Sequence, residues 1–122
     1  MPTRNEPAPL LPPEAGGDEA VRAALVAQGV CDPAHPPVTV ELYGGLRMRG
    51  GRAQVPLHAD TIRRAVQVLR RALPQLTRVL PDGDEVRAHV RFSVNGQRVT
   101  DDLDLPLRAG DRLVVFSASV GG

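Results

Sequence analysis

Asp60-Thr61-Ile62-Arg63-Arg64-Ala65-Val66-Gln67-Val68-Leu69-Arg70-Arg71-Ala72-Leu73-Pro74 is the stretch on which the fold turns. Ile62, Ala65, Val66, Leu69 and Leu73 recur at spacings of three and four, and Arg63, Arg64, Gln67, Arg70 and Arg71 fill positions between them. That is the period of a helix with one apolar stripe. Asp60 or Thr61 is placed to accept the unpaired amides of the first turn, and Pro74 ends the run. Arg70 and Arg71 fall at the negative end of the helix dipole. Burying four large aliphatic side chains yields about 6–12 kcal/mol, less than the roughly 1.5 kcal/mol per residue that ordering the helix costs. The helix therefore needs a sheet to lie on.

The flanking sequence supplies one. Upstream, Val38, Val40 and Leu42 alternate with Thr39, Glu41 and Tyr43, the pattern of a half-buried strand. Gly44 and Gly45 interrupt it, Arg49-Gly50-Gly51-Arg52 offers a turn, and Ala53, Val55 and Leu57 alternate again, which predicts an antiparallel hairpin. Pro56 has no N–H to give, so its strand belongs at a sheet edge. Downstream, Leu76 to Leu80 continues apolar and Pro81-Asp82-Gly83-Asp84 turns. Val86, Ala88, Val90, Phe92 and Val94 then form the clearest strand. Asn95-Gly96 predicts a hairpin turn, because both residues tolerate positive φ. Leu103, Leu105 and Leu107 alternate once more, although Pro106 argues against a long regular strand. Ala109-Gly110-Asp111 leads into a final strand over Leu113 to Phe116. The expectation is an α+β fold, a mixed sheet with one main helix packed on one face.

The first third differs in composition. Eight of the 12 prolines fall within residues 1–37, and proline disfavours helix around it, so residues 1–36 read as a flexible Pro-rich extension. Within it a short helix over 18–28 is expected, with Asp18 as cap, Gly29 as stop, and Val21, Ala24, Leu25 and Gln28 on one face. So short a helix is marginal unless it docks, and it reads either as a tail segment with no role or as a docked helix covering a groove or partner surface. The folded domain is expected over 37–120, followed by Gly121-Gly122 as a tail.

Composition narrows the function. The 122-residue chain has a formal net charge of +1, too balanced to imply nucleic acid or an anionic membrane surface as partner. Aromatic residues make up 2% and all 15 basic residues are arginine. Without lysine there is no side-chain amine for Schiff-base chemistry, and the phosphate-loop motif that ends in Gly-Lys cannot occur. Cys31 is the single cysteine, so no internal disulfide forms. No signal peptide or membrane span is evident, which predicts a cytoplasmic protein. His35, His58 and His89 have no ligand spacing, and Asp101, Asp102 and Asp104 read as a solvated turn before a metal site. Arg47, Arg49 and Arg52 read as a solvated hairpin that is also placed to pair with acidic residues of a partner.

Several of these stretches, taken in order, resemble the ubiquitin-like β-grasp sulfur carriers, which include the small subunit of molybdopterin synthase and the carriers of cysteine and thiamine synthesis. Val38 to Arg47 is similar to the family's first strand and its G-x-L-R turn, and Thr61 to Leu69 to its central helix. Phe92-Ser93-Val94-Asn95-Gly96 is similar to its V-N-G turn, and Leu107 to Leu113 to the L-x-x-G-D-x-(V/L) entry of its last strand, which leads to Gly121-Gly122. Where the molybdopterin synthase subunit carries a Pro-Pro pair before its glycines, this chain has Ser117-Ala118-Ser119-Val120, nearer the cysteine-synthesis type. The resemblance implies a protein co-substrate and not an enzyme. Its Gly122 carboxylate would be adenylated by an E1-like enzyme using ATP, then sulfurated from a sulfur donor protein, then used by a sulfur-accepting synthase subunit. No stably bound cofactor or metal is implied. Gly121 and Gly122 are the expected reactive end, since glycine passes a narrow channel and adopts angles barred to other residues. Phe116, Ala118, Val120 and Arg47 are the expected docking residues. A protein modifier joined through Gly122 to target lysines, and a noncatalytic β-grasp adaptor, are the competing readings.

Overall fold

The computed structural model describes residues 11–82, 90–97 and 99–117. Five strands form one mixed sheet in the order β2-β1-β5-β3-β4. β1 (Pro37–Leu42) runs antiparallel to β2 (Gln54–His58), in a register from Pro37 opposite His58 to Glu41 opposite Gln54. The last strand, β5 (Arg112–Ser117), inserts beside β1 in parallel, with Thr39 opposite Arg112 and Leu42 opposite Val115. β3 (Val90–Val94) pairs antiparallel with β5, and β4 (Val99–Thr100) completes the far edge. Pro56 lies on β2, an edge strand, as its missing donor requires. Asn95 (φ 55°) and Gly96 (φ 73°) are both left-handed in the β3–β4 turn, the conformation a two-residue hairpin demands.

One face of the sheet carries Val38, Val40, Leu42, Val55, Leu57, Phe92, Leu113 and Val115, all buried. The main helix, α3 (Ile62–Ala72), covers it with Ile62, Ala65, Val66 and Leu69. Its cap is Thr61, extended at φ −143°, whose Oγ1 accepts from Arg64 N at 3.1 Å. The helix stops at Ala72, and Pro74 opens a single 3-10 turn to Leu76.

The alternation at Leu103, Leu105 and Leu107 forms no strand. The carbonyls of Leu105 and Leu103 instead accept the N–H groups of Ile62 (3.1 Å) and Arg63 (2.7 Å), and Leu107 N donates to Asp60 O (2.9 Å). The Ile62 and Arg63 amides belong to the first turn, which a helix cannot pair internally, so the segment serves α3 while Leu103 and Leu107 enter the core. A second difference lies between β1 and β2. The chain there forms a short helix, α2 (Gly45–Gly50), bounded by Gly44 at φ 59° and Gly51 at φ 77°. Leu46 anchors it, and Gly50 is packed so closely that a Cβ would meet Leu42 Cδ1 at 3.1 Å.

The extension also departs from expectation over its described part. Helix α1 (Asp18–Ala27) starts at Asp18 with no side-chain cap, and Gly29 (φ 73°) turns the chain so that Val30 N bonds Leu25 O at 2.8 Å. Rather than standing apart, α1 lies along β2 with Val21 and Leu25 fully buried. Arg22 is buried beside them, donating to Leu57 O (3.2 Å), Val38 O (2.9 Å) and Thr39 Oγ1 (3.1 Å), with Glu19 as its ion-pair partner. Ahead of α1, Glu14 Oε2 accepts Ala53 N and Gln54 N at 2.7 Å each. With Gln54 N occupied and a proline within it, this edge strand is a poor template for a further strand. The extension thus closes the β2 side of the sheet.

Candidate functional site: the end of the last strand

β5 is held from both sides. Val90 is opposite Ser117, and Tyr43 N donates to Val115 O at 3.2 Å. Because β1 and β5 are parallel, their C-terminal ends lie together, and β5 delivers the chain to the same end of the sheet at which α2 begins. Strand parity assigns the face opposite the core. There Val114 and Phe116 of β5 stand beside Glu41 of β1 and Tyr43, the residue that follows β1, and opposite Ser93 and Arg91 of β3. Phe116 and Val114 are half-buried and Tyr43 is 54% exposed. The Tyr43 hydroxyl donates to Glu41 Oε1 at 3.4 Å, and Glu41 pairs with Arg112. The result is a small apolar platform of Tyr43, Val114 and Phe116, bounded on one side by an ion pair.

α2 adds to this end. Arg47 and Arg49 are exposed on it, and Met48 is 84% exposed, the most exposed of the large apolar side chains among the described residues. The expected docking residues Phe116 and Arg47 are therefore both near the end of β5. Ala118, Val120, Gly121 and Gly122 lie outside the described residues, as do Gly83 to His89 and Arg98. Tyr43, Met48 and Val114 were not singled out by sequence. Parity carried the missing signal for Val114 and Tyr43, since each alternates with the buried Val115 and Leu42.

The other clusters serve structure. Arg52 does not share the solvent with Arg47 and Arg49, for its Nη2 donates to Pro12 O at 2.6 Å. Asp102 Oδ1 accepts Asp104 N at 3.0 Å within its own turn, and Asp104 pairs with Arg63 at 3.0 Å, which holds its carboxyl below the usual range by hydrogen bond and charge. His58 Nδ1 lies 2.9 Å from His35 O. Among the described residues, no group of three or more His, Cys, Asp or Glu is arranged to hold a metal ion, and no helix is long and apolar enough to cross a membrane.

No family model matches the sequence, and no curated protein matches it significantly. Solved structures do match. The crystal structure of small archaeal modifier protein 1 from Haloferax volcanii is 29% identical, with a TM-score of 0.61, over 70% of this chain and 99% of its own. Its fold is that of the ubiquitin-like β-grasp sulfur carriers, the family its sequence resembles. Two further structures share the fold. Small archaeal modifier protein 1 from Methanosarcina acetivorans (23% identity, TM-score 0.62) covers 71% of this chain and 97% of its own. Mycobacterium tuberculosis CysO (24% identity, TM-score 0.57) covers 67% and 99%. The structures it matches are those of small non-catalytic carrier proteins. Each structure matches over nearly its whole length while leaving a substantial part of this chain unmatched, so the carrier fold here has been enlarged.

Proposed function

We propose that the chain is a sulfur carrier that works through the α-carboxylate of Gly122. A carboxylate with a reference pKa of about 3.3–3.7 is ionised at neutral pH and is a poor acyl donor. An E1-like partner supplies the missing activation. The carboxylate oxygen attacks the α-phosphorus of ATP, pyrophosphate leaves, and the resulting acyl adenylate is opened by hydrosulfide with loss of AMP. The thiocarboxylate so formed then delivers its sulfur inside an accepting synthase subunit. Gly121 and Gly122 thread the active site because neither carries a side chain. Ala118 and Val120 line that thread, Phe116 with Tyr43 and Val114 seats the body, and Arg47 meets an acidic rim.

The observation that carries this reading is the place of β5: a central strand, pinned on both sides, that brings Phe116 and Ser117 to an apolar, partly exposed end of the sheet. The test is intact-protein mass after incubation with the activating enzyme, ATP and a sulfur source. Exchange of one oxygen for sulfur in the wild type, and none in a chain lacking Gly122, is the expected result. An unchanged mass, under conditions that charge a related carrier, refutes it.

The Haloferax match, a protein named as a modifier, favours a second reading in which Gly122 is joined to target lysines. Peptides from cell digests bearing Gly121-Gly122 on lysine would establish it. Since this chain holds no lysine, lysine-linked chains of the protein with itself cannot form.

A further inference from the structure

A cavity of about 580 Å³ opens between α3 and the segment that follows α1, away from the end of β5. Cys31, Asp32 and His35 line it from one side, and Arg64 and Arg71 from the other. The two arginines are seven residues apart, two turns of α3, so both stand on one helix face about 10 Å apart along the axis. Arg71 spends one donor, Nη1, on Gly29 O at 3.0 Å. Arg64 Nε is 3.7 Å from Asp60 Oδ1, beyond hydrogen-bond length. Both guanidinium groups thus keep donors to offer.

The opposite wall sets one carboxylate, Asp32, against the two guanidinium groups. Asp32 is turned into its own loop, where Oδ1 accepts Ala34 N at 2.8 Å. Burial pushes the Cys31 thiol above its ordinary range, so it stays neutral near pH 7. His35 faces Asp60 at 3.8 Å through Nε2, while its enclosed Nδ1 has no partner. The cavity falls in the size range of small-molecule sites, but its polar, arginine-bearing lining suits an oxyanion and not an apolar ligand. The planar fork of arginine matches phosphate oxygens two at a time.

We propose that this cavity binds the phosphate group of a small phosphorylated ligand between Arg64 and Arg71. The site is independent of the reactive tail. Its outer wall, residues 29–35, precedes β1 and belongs to the extension that enlarges the carrier fold.

The test is titration of the full chain with inorganic phosphate, followed in ¹H–¹⁵N spectra. Saturable shifts are expected in the amides of residues 29–35 and in the side-chain Nε signals of Arg64 and Arg71. R64Q and R71Q should each weaken binding about tenfold, the loss of one charge-assisted pair. R71K, which keeps the charge and a donor for Gly29 O, should also weaken it, because the fork is gone. R49Q on α2 should bind as the wild type does. The proposal is overturned by shifts that do not saturate, or by equal weakening in R49Q, which marks diffuse attraction only. It is also overturned if R64Q and R71K bind as tightly as the wild type, whether or not R71Q folds.

Discussion

Leu25 is the most direct probe of whether the extension belongs to the folding unit. It is fully buried on α1, a helix of ten residues that would be marginal alone. Leu-to-Ala changes in cores cost about 2.7–5 kcal/mol, less where the surroundings close over the hole. α1 rests against an edge strand and has room to settle, so L25A is expected near the lower end, about 3 kcal/mol. For a domain of this size that corresponds to a fall in Tm of roughly 10–15 °C. Urea unfolding followed by circular dichroism should show a lower midpoint with an unchanged slope. R22M removes the bonds to Leu57 O, Val38 O and Thr39 Oγ1. The two carbonyls keep their ladder partners, so about 1–3 kcal/mol is expected. The double variant should lose less than the sum, because once α1 undocks there is nothing more to lose. E19A, at a side chain 83% exposed, should stay within about 0.5 kcal/mol of the wild type. If L25A also stays within that range, α1 is not part of the cooperative unit and the reasoning fails.

Two further predictions test other elements. G50A brings a Cβ to 3.1 Å from Leu42 Cδ1 and 3.4 Å from Leu73 and Leu76 Cδ1, so it should destabilise the protein by about 1–3 kcal/mol through overpacking, read from the same unfolding curves. D104N tests the pair with Arg63. The folded carboxyl titrates below its ordinary value of 3.8, so the unfolded chain binds the proton first on acidification. The stabilisation is therefore complete above pH 3.8 and disappears as pH falls through the lower folded value. Wild type should melt slightly above D104N at neutral pH and low salt, and together with it in strong acid. A gap that persists there would assign the effect to something other than ionisation.

Elements whose signal is local were legible in the sequence. The apolar stripe of α3, a cap at Asp60 or Thr61 (the structure uses Thr61), the Asn95-Gly96 turn and the edge position of Pro56 each follow from a few adjacent residues. α2 was not legible, because two of its six residues are glycine and its stability comes from seating Leu46 and Gly50 against residues distant in sequence. Leu103, Leu105 and Leu107 show how a true alternation misleads. Period two reports which side chains point inward, but not whether the carbonyls between them pair with a strand or with the start of a helix. The docking of α1 was only one of two readings its sequence left open, for a related reason. Its anchors are only Val21 and Leu25, and Arg22, which reads as a solvated charge, takes its partners from strand backbone 16 and 35 residues away. At the candidate site Phe116 was readable from its strand. Its neighbour Tyr43 was not, since their meeting depends on β5 entering beside β1 in parallel.

That topology also separates the two sites. Loop 29–35 leads into β1 at Pro37, whereas β5 leaves beside Leu42 at the opposite end. A strand of six residues is about 17–20 Å long, and β2 lies two spacings, about 10 Å, from β5. The cavity is on the α3 layer, a helix about 10 Å across, which sets it roughly 22 Å or more from Ser117. Five residues fully extended from Ser117 span at most about 18 Å. Gly122 therefore cannot reach a phosphate held by Arg64 and Arg71 of its own chain. The proposed phosphate site and the end of β5 are thus separate places on the fold.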